Sequence, residues 1–171
     1  HARLLREWQH LQLVEQQIHE LEQERSRQLR DSTSPSVAMA RHMMRLKGIG
    51  PGSAYPFAME FFGWRNFRNP KEVGASAGLT PTPSDSGESS HELGISKAGN
   101  VRIRALAIEI AWGWLYFQPQ SHLSRWYANR FGHGGSRLRR IGIVALARKL
   151  LIALWRYVEF GVIPEGAVLK A

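Results

Sequence analysis

Apolar residues return every three or four positions through most of the chain, with glycine and proline breaking the rhythm at intervals. No stretch alternates apolar with polar in the way a half-buried strand requires. From Gly99 to Phe117 the helical period is carried by Val101, Leu106, Ile108, Ala111, Trp112 and Leu115, and Pro119 stops it. A helix over 121–131 is expected to end at the "FGHGG" loop of 131–135, and a longer one over 136–160 is apolar at Ile141, Val144, Ala145, Leu151, Leu154 and Trp155. Shorter helices are expected over 37–46, in the apolar run "YPFAMEFFG" and over 70–77. The fold class is therefore all-α, with an irregular serine-bearing loop in 78–97 that has room for a short hairpin.

The opening segment is a different kind of helix. Leu4, Leu11, Val14, Ile18 and Leu21 form a narrow heptad stripe among Gln, Glu and Arg, without Gly or Pro for roughly three heptads. Such a stripe suits a coiled coil, and so self-association, or a single amphipathic helix lying on its own domain. "DSTSPS" at 31–36 stacks turn and capping residues and allows a new helix to open at Pro35. The expected division is a helical arm, 1–34, and a helical domain, 35–171.

Charge narrows the function. Lys and Arg number 23 against 14 Asp and Glu, a formal net charge of +9. A surplus of this size favours a polyanionic partner, nucleic acid before a membrane surface. Between Glu109 and Glu159 no acid interrupts Arg125, Arg130, Arg137, Arg139, Arg140, Arg148, Lys149 and Arg156, while Trp112, Trp114, Trp126 and Tyr127 are interleaved in the same region. A phosphate-binding surface is the expected use of that block. No apolar run reaches the roughly 18 residues a membrane-spanning helix needs. The absence of cysteine removes thiol nucleophiles and thiolate metal sites and fits a reducing compartment. His122 and His133 lie too far apart, with too few carboxylates, to suggest a metal site.

"LKGIGPGSA", 46–54, places two glycines around Ile49 between two expected helices. Such a turn leaves amide N–H groups at the start of the second helix for an anion, with Ile49 packed inward as the wedge. Leu46, Gly48, Ile49, Gly50 and Ala54 resemble the helix-hairpin-helix motif, whose family use is sequence-independent contact with the DNA backbone. Lys47, Gly48, Ile49, Gly50 and Gly52 are its expected contact residues.

Four segments then follow in order: "LKGIGP", "FRNPKEVGASAGLTP", "DSG" and "GISKAGNVRIRALAIEIA". Together they resemble the carboxy-terminal domain of the DEDD-type transposases of bacterial insertion sequences, which are similar to the pilin-gene invertases and include bridge-RNA-guided recombinases. The resemblance is strongest over 40–120. It implies an enzyme in which an amino-terminal RuvC-like domain binds Mg²⁺ through a carboxylate quartet, while this domain supplies a serine that attacks a DNA phosphodiester. The serine before a glycine after "AGLTP" is Ser86, followed by Gly87, with Ser84 as the alternative; Glu88 stands where many relatives carry a second glycine. Lys97 and Asn100 match the return "I-S/T-K-x-G-N", and Lys97, Arg102 and Arg104 are expected beside the scissile phosphate.

Only Asp31 and Asp85 are aspartates, so the quartet is not in this chain. The expectation is a carboxy-terminal portion that binds DNA without cofactor and does not cut it alone, from a bacterial, nucleoid-associated, cytoplasmic enzyme. DNA, a guide RNA where the relative uses one, and further copies of the chain are the partners implied. The rival expectation is a non-catalytic helix-hairpin-helix module of repair or recombination machinery. A helical scaffold pairing through 4–29 accounts for the arm alone.

Overall fold

A computed structural model describes residues 2–86 and 89–170, and side chains are described outside 83–93. The described chain is all-α with one two-stranded ribbon. Helix α1 spans Ala2–Asp31, α2 Pro35–Met44 and α3 Pro51–Phe57, which continues into a π-helical turn, Ala58–Phe62. Then come α4 (Pro70–Ser76), strands β1 (Pro81–Ser86) and β2 (Ser89–Ile95), α5 (Val101–Phe117), α6 (His122–Phe131) and α7 (Ser136–Phe160).

The helix starts follow local chemistry. Proline occupies the first turn of α2, α3 and α4, where a missing N–H costs no helical bond. Asn69 accepts from Glu72 N at 3.0 Å while the Glu72 carboxylate accepts from Arg68 N at 2.9 Å, a reciprocal cap on α4. Asn100 caps α5 and Ser121 caps α6 through their side-chain oxygens. Gly161, at φ 69°, closes α7, its N–H donating to Tyr157 O while Val162 N donates to Arg156 O.

Helices α5 and α7 pack as the central pair, with α2, α3, α4 and α6 around them. Their inward faces are Ile103, Ala107, Ala111 and Trp114 on α5, and Ile143, Leu146, Leu150, Leu151 and Leu154 on α7. The period was legible, but part of the stripe was not: Val101, Trp112 and Ile141 stand exposed, one residue or so around the helix from the buried positions. A helix with apolar residues on more than one face does not declare from sequence which of them the core takes. Tyr157 is buried, stacked on His42 at 4.2 Å, and its hydroxyl donates to His42 O. Burial pushes its phenol above the ordinary range, against the lowering effect of Arg45.

Helix α1 contains no buried residue. Its foot is nevertheless fastened: Arg41 Nε donates to Leu29 O and Arg41 Nη2 to Arg30 O and Ser32 O, satisfying carbonyls at the helix end. Tyr55 Oη donates to Gln28 Oε1, and Leu29 packs on the core.

The tail returns to the turn between α2 and α3. Lys47 N donates to Val168 O and Lys170 N to Arg45 O, while Lys170 Nζ reaches Ile49 O at 2.6 Å. Buried Gln118 locks this strap by donating to both Lys47 O and Val168 O and accepting from Val168 N, each at 2.8 Å. Gln118→Ala removes three part-buried hydrogen bonds, so it is expected to cost about 2–3 kcal/mol. Urea unfolding should show a lower midpoint with an unchanged slope; an unmoved midpoint would mean that the strap contributes nothing.

Candidate functional site

The glycine turn has the form expected of its residues. Gly48 sits at φ +91°, where a Cβ would press on Phe117, and Ile49 is buried beneath the turn. The amides are less available than the sequence suggests. Ile49 N donates to Leu46 O, Ser53 N and Ala54 N donate to Gly50 O, and Pro51 has no N–H. Gly50 and Gly52 face open space, and Lys47 is exposed beside them.

The second group of motif residues builds the base of the ribbon. Strands β1 and β2 pair antiparallel, Pro81 with Ile95, Ser84 with His91 and Ser86 with Ser89, with an irregularity between Pro81 and Pro83. The short hairpin for which 78–97 had room is present as a backbone-paired ribbon, its ends joined by Ser96 N to Thr80 O and Lys97 N to Gly78 O. Alternation could not announce it, because its residues are mostly short and polar in sequence. The side chains of both nucleophile candidates, Ser84 and Ser86, lie outside the described residues, as do Gly87 and Glu88.

Below the ribbon the return motif acts as masonry. Gly99 adopts φ +117°, and a Cβ there would drive into the Ser76 carbonyl. Asn100 N donates to Ser76 O, and the Asn100 side chain accepts from Ile103 N at 3.1 Å. Arg104 Nη1 donates to Lys97 O at 3.0 Å and, more weakly, to Ala77 O at 3.3 Å. Arg102 pairs with Glu60 at 3.0 Å in an exposed setting, a weak tie in water. Lys97 holds φ 57°, which a non-glycine residue adopts only when its surroundings fix it.

The expected contact residues therefore fall into two places. The glycine turn touches Phe117 at one end of α5, whereas Asn100 opens the other end, so 17 residues separate them, about 25 Å at 1.5 Å per residue. The ribbon base, in contrast, meets the first half of α7. Lys97, Arg137, Arg140, Arg148 and Lys149 line one groove there, of about 1,060 Å³. Arg139 is also exposed, with its Nε on Gly134 O at 3.1 Å.

The groove's floor was not anticipated. Ile95, Trp126, Ile141, Val144 and Ile152 line it, two of them having been expected in the core. The available signal was a second apolar stripe on α7, Ile141, Val144 and Ile152, threaded between Arg137, Arg140 and Arg148. Among the described residues no three His, Asp or Glu side chains gather closely enough to share a metal ion. Nor is any described helix long and apolar enough to cross a membrane.

Comparison with known proteins agrees with this arrangement of motifs. The family model described as "Transposase IS116/IS110/IS902 family" matches residues 40–126, from within α2 to the middle of α6, a span holding the glycine turn, the ribbon and the capped start of α5. A Sinorhizobium fredii protein named "Putative transposase y4rJ" is 44% identical over 180 positions, which cover 99% of this chain and 44% of that protein. The transposase for insertion sequence element IS1328 of Yersinia enterocolitica is 29% identical over 156 positions, 89% of this chain and 44% of the relative. The chain spans less than half the length of either relative. With the matched span covering the turn, the ribbon and the motif that fastens it, the chain belongs to the IS116/IS110/IS902 transposase family.

Proposed function

We propose that this chain is the DNA-gripping part of a transposase and that it presents the serine nucleophile, Ser86 with Ser84 as the alternative, beside a basic groove. The observation that carries this is the meeting of ribbon base and α7: Lys97 from the strand return and Arg137 and Arg140 from the helix line one surface. A scissile phosphate held there has cations on both sides, which stabilise charge as it develops in transfer. The attacking hydroxyl still needs activation. In this proposal a Mg²⁺ held by carboxylates outside the described residues would supply it. DNA lying across the domain also meets Lys47, Gly50 and Gly52 at the glycine turn, a second backbone grip. The exposed stripe on α1 supports self-association.

A serine transferase passes through a covalent adduct: the hydroxyl oxygen bonds to phosphorus, the bridging sugar oxygen leaves, and the serine proton goes to solvent or a base. The test joins this chain to a carboxylate domain from a relative and mixes it with Mg²⁺ and end-labelled DNA. A denaturation-resistant protein–DNA adduct is expected, lost in Ser86→Ala and retained in Ser84→Ala. The second variant is needed because the ribbon register sets His91 opposite Ser84. Loss only in Ser84→Ala would transfer the role. No adduct in any protein, with salt-sensitive DNA binding intact, would favour the non-catalytic binding module.

A further inference from the structure

The groove between the ribbon base and α7 is unusual for a surface that merely holds a duplex backbone. Its rim is cationic, with Lys97, Arg137, Arg140, Arg148 and Lys149, yet its floor is apolar. Ile141, on that floor, is 53% exposed. Phosphates need no such floor, and the bases of a duplex, stacked on one another, do not offer their faces to it. At about 1,060 Å³ the groove, lined from α7 and the ribbon base, is at the upper limit of small-molecule sites.

Trp126 adds the specific geometry. It is half-buried, braced edge-on by Phe131 with ring centroids 5.5 Å apart, and Lys149 Nζ stands 4.8 Å from its ring centroid. A cation over an exposed aromatic ring is held less strongly than a stacked base. A base entering the groove can therefore take the ring face and release the Lys149 ammonium to a phosphate. An apolar floor for bases, an aromatic face and a basic rim for the strand are the elements by which single strands are bound without sequence readout.

We infer that this groove seats unstacked bases of a single nucleic-acid strand, on a floor of Trp126, Ile141 and Val144, with the strand's phosphates on Lys97, Arg137, Arg140, Arg148 and Lys149. The inference rests on the nucleic-acid-binding role proposed above and adds the strandedness of the ligand at this site. Charge complementarity selects a polyanion, and the floor selects one whose apolar faces are free.

Fluorescence anisotropy with the full chain tests it using four probes: a labelled 12-nucleotide DNA strand, the same strand with three central abasic positions, the matching RNA strand and the matching duplex. The base-bearing DNA is expected to bind at least about tenfold tighter than the abasic strand. Ile141→Ser, an exposed substitution, should bring that ratio close to one while duplex affinity stays unchanged. Trp126→Leu should do the same, and Ile141→Ser alone decides the matter if Trp126→Leu unfolds. Tighter binding of the RNA strand, with the same loss in Ile141→Ser, would keep the groove and name its source as RNA. Equal binding of base-bearing and abasic strands, with duplex binding intact, would overturn this inference and leave the proposed function standing. Failure of all four probes would overturn both. An alternating Glu-Leu peptide that binds wild type but not Ile141→Ser, while the two DNA strands bind alike, would assign the groove to a protein partner and equally overturn the inference.

Discussion

Replacing Arg137, Arg139 and Arg140 together by alanine is expected to weaken duplex DNA binding about a thousandfold at low salt, roughly tenfold for each charged contact removed. All three lie in the first turns of α7 and are exposed. The expected signature is electrostatic as well as large. The slope of log affinity against log salt should become shallower by about 2.7, at 0.9 for each phosphate contact on B-form DNA. The corresponding lysine substitutions should restore much of the slope and less of the affinity, because an ammonium keeps the charge without the planar fork. Arg139 has a structural share, its bond to Gly134 O, so the thermal midpoint of each single variant has to be measured beside its affinity. An unchanged salt slope in a folded triple variant would remove α7 from the DNA surface.

Gly99→Ala is expected to cost about 3–4 kcal/mol, from forced positive φ and collision together. The new Cβ meets the Ser76 carbonyl and the adjoining backbone, which cannot swing aside as a side chain can. That same carbonyl accepts from Asn100 N, so relief of the clash loosens the cap of α5. A fall in melting temperature of about 10 °C corresponds to this cost in a domain of this size. Gly94→Ala separates the two causes: Gly94 has φ +83° but, among the described residues, no atom within 4 Å of its would-be Cβ. It should cost only the strain of that conformation, about 1 kcal/mol. Equal losses at both positions would mean that the packing at Ser76 is not tight.

Much of this architecture was legible in the chain's own punctuation. Pro35, Pro51 and Pro70 sit in the first turns of their helices, and Asn100 and Ser121 cap theirs, so starts could be read from residues that satisfy amides locally. Faces were harder to read. Ile141 and Leu146 are both apolar residues of α7, yet one is exposed on a groove and the other buried, a difference made by neighbours distant in sequence. The return motif was recognisable as a pattern, but its physical role was not. In the fold Asn100 caps a helix and Arg104 ties carbonyls, and only the folded backbone brings Ala77, Lys97 and Ser76 to them. The apolar floor beneath Lys97 was hidden for the same reason, since the ribbon base and α7 are joined by tertiary packing alone.

The thirty-residue helix α1 carries angle as well as length. Each residue turns the helix by about 100°, so adding or losing seven returns the exposed leucine stripe to within about 20° of its former bearing, whereas three or four leave it about 40–60° away. Because Arg41 fixes the foot of the helix to the domain, that rotation is not absorbed at the joint. Length changes near the foot are therefore filtered by phase: whole heptads alter reach while keeping the stripe aimed, and a single inserted residue there redirects whatever the stripe engages.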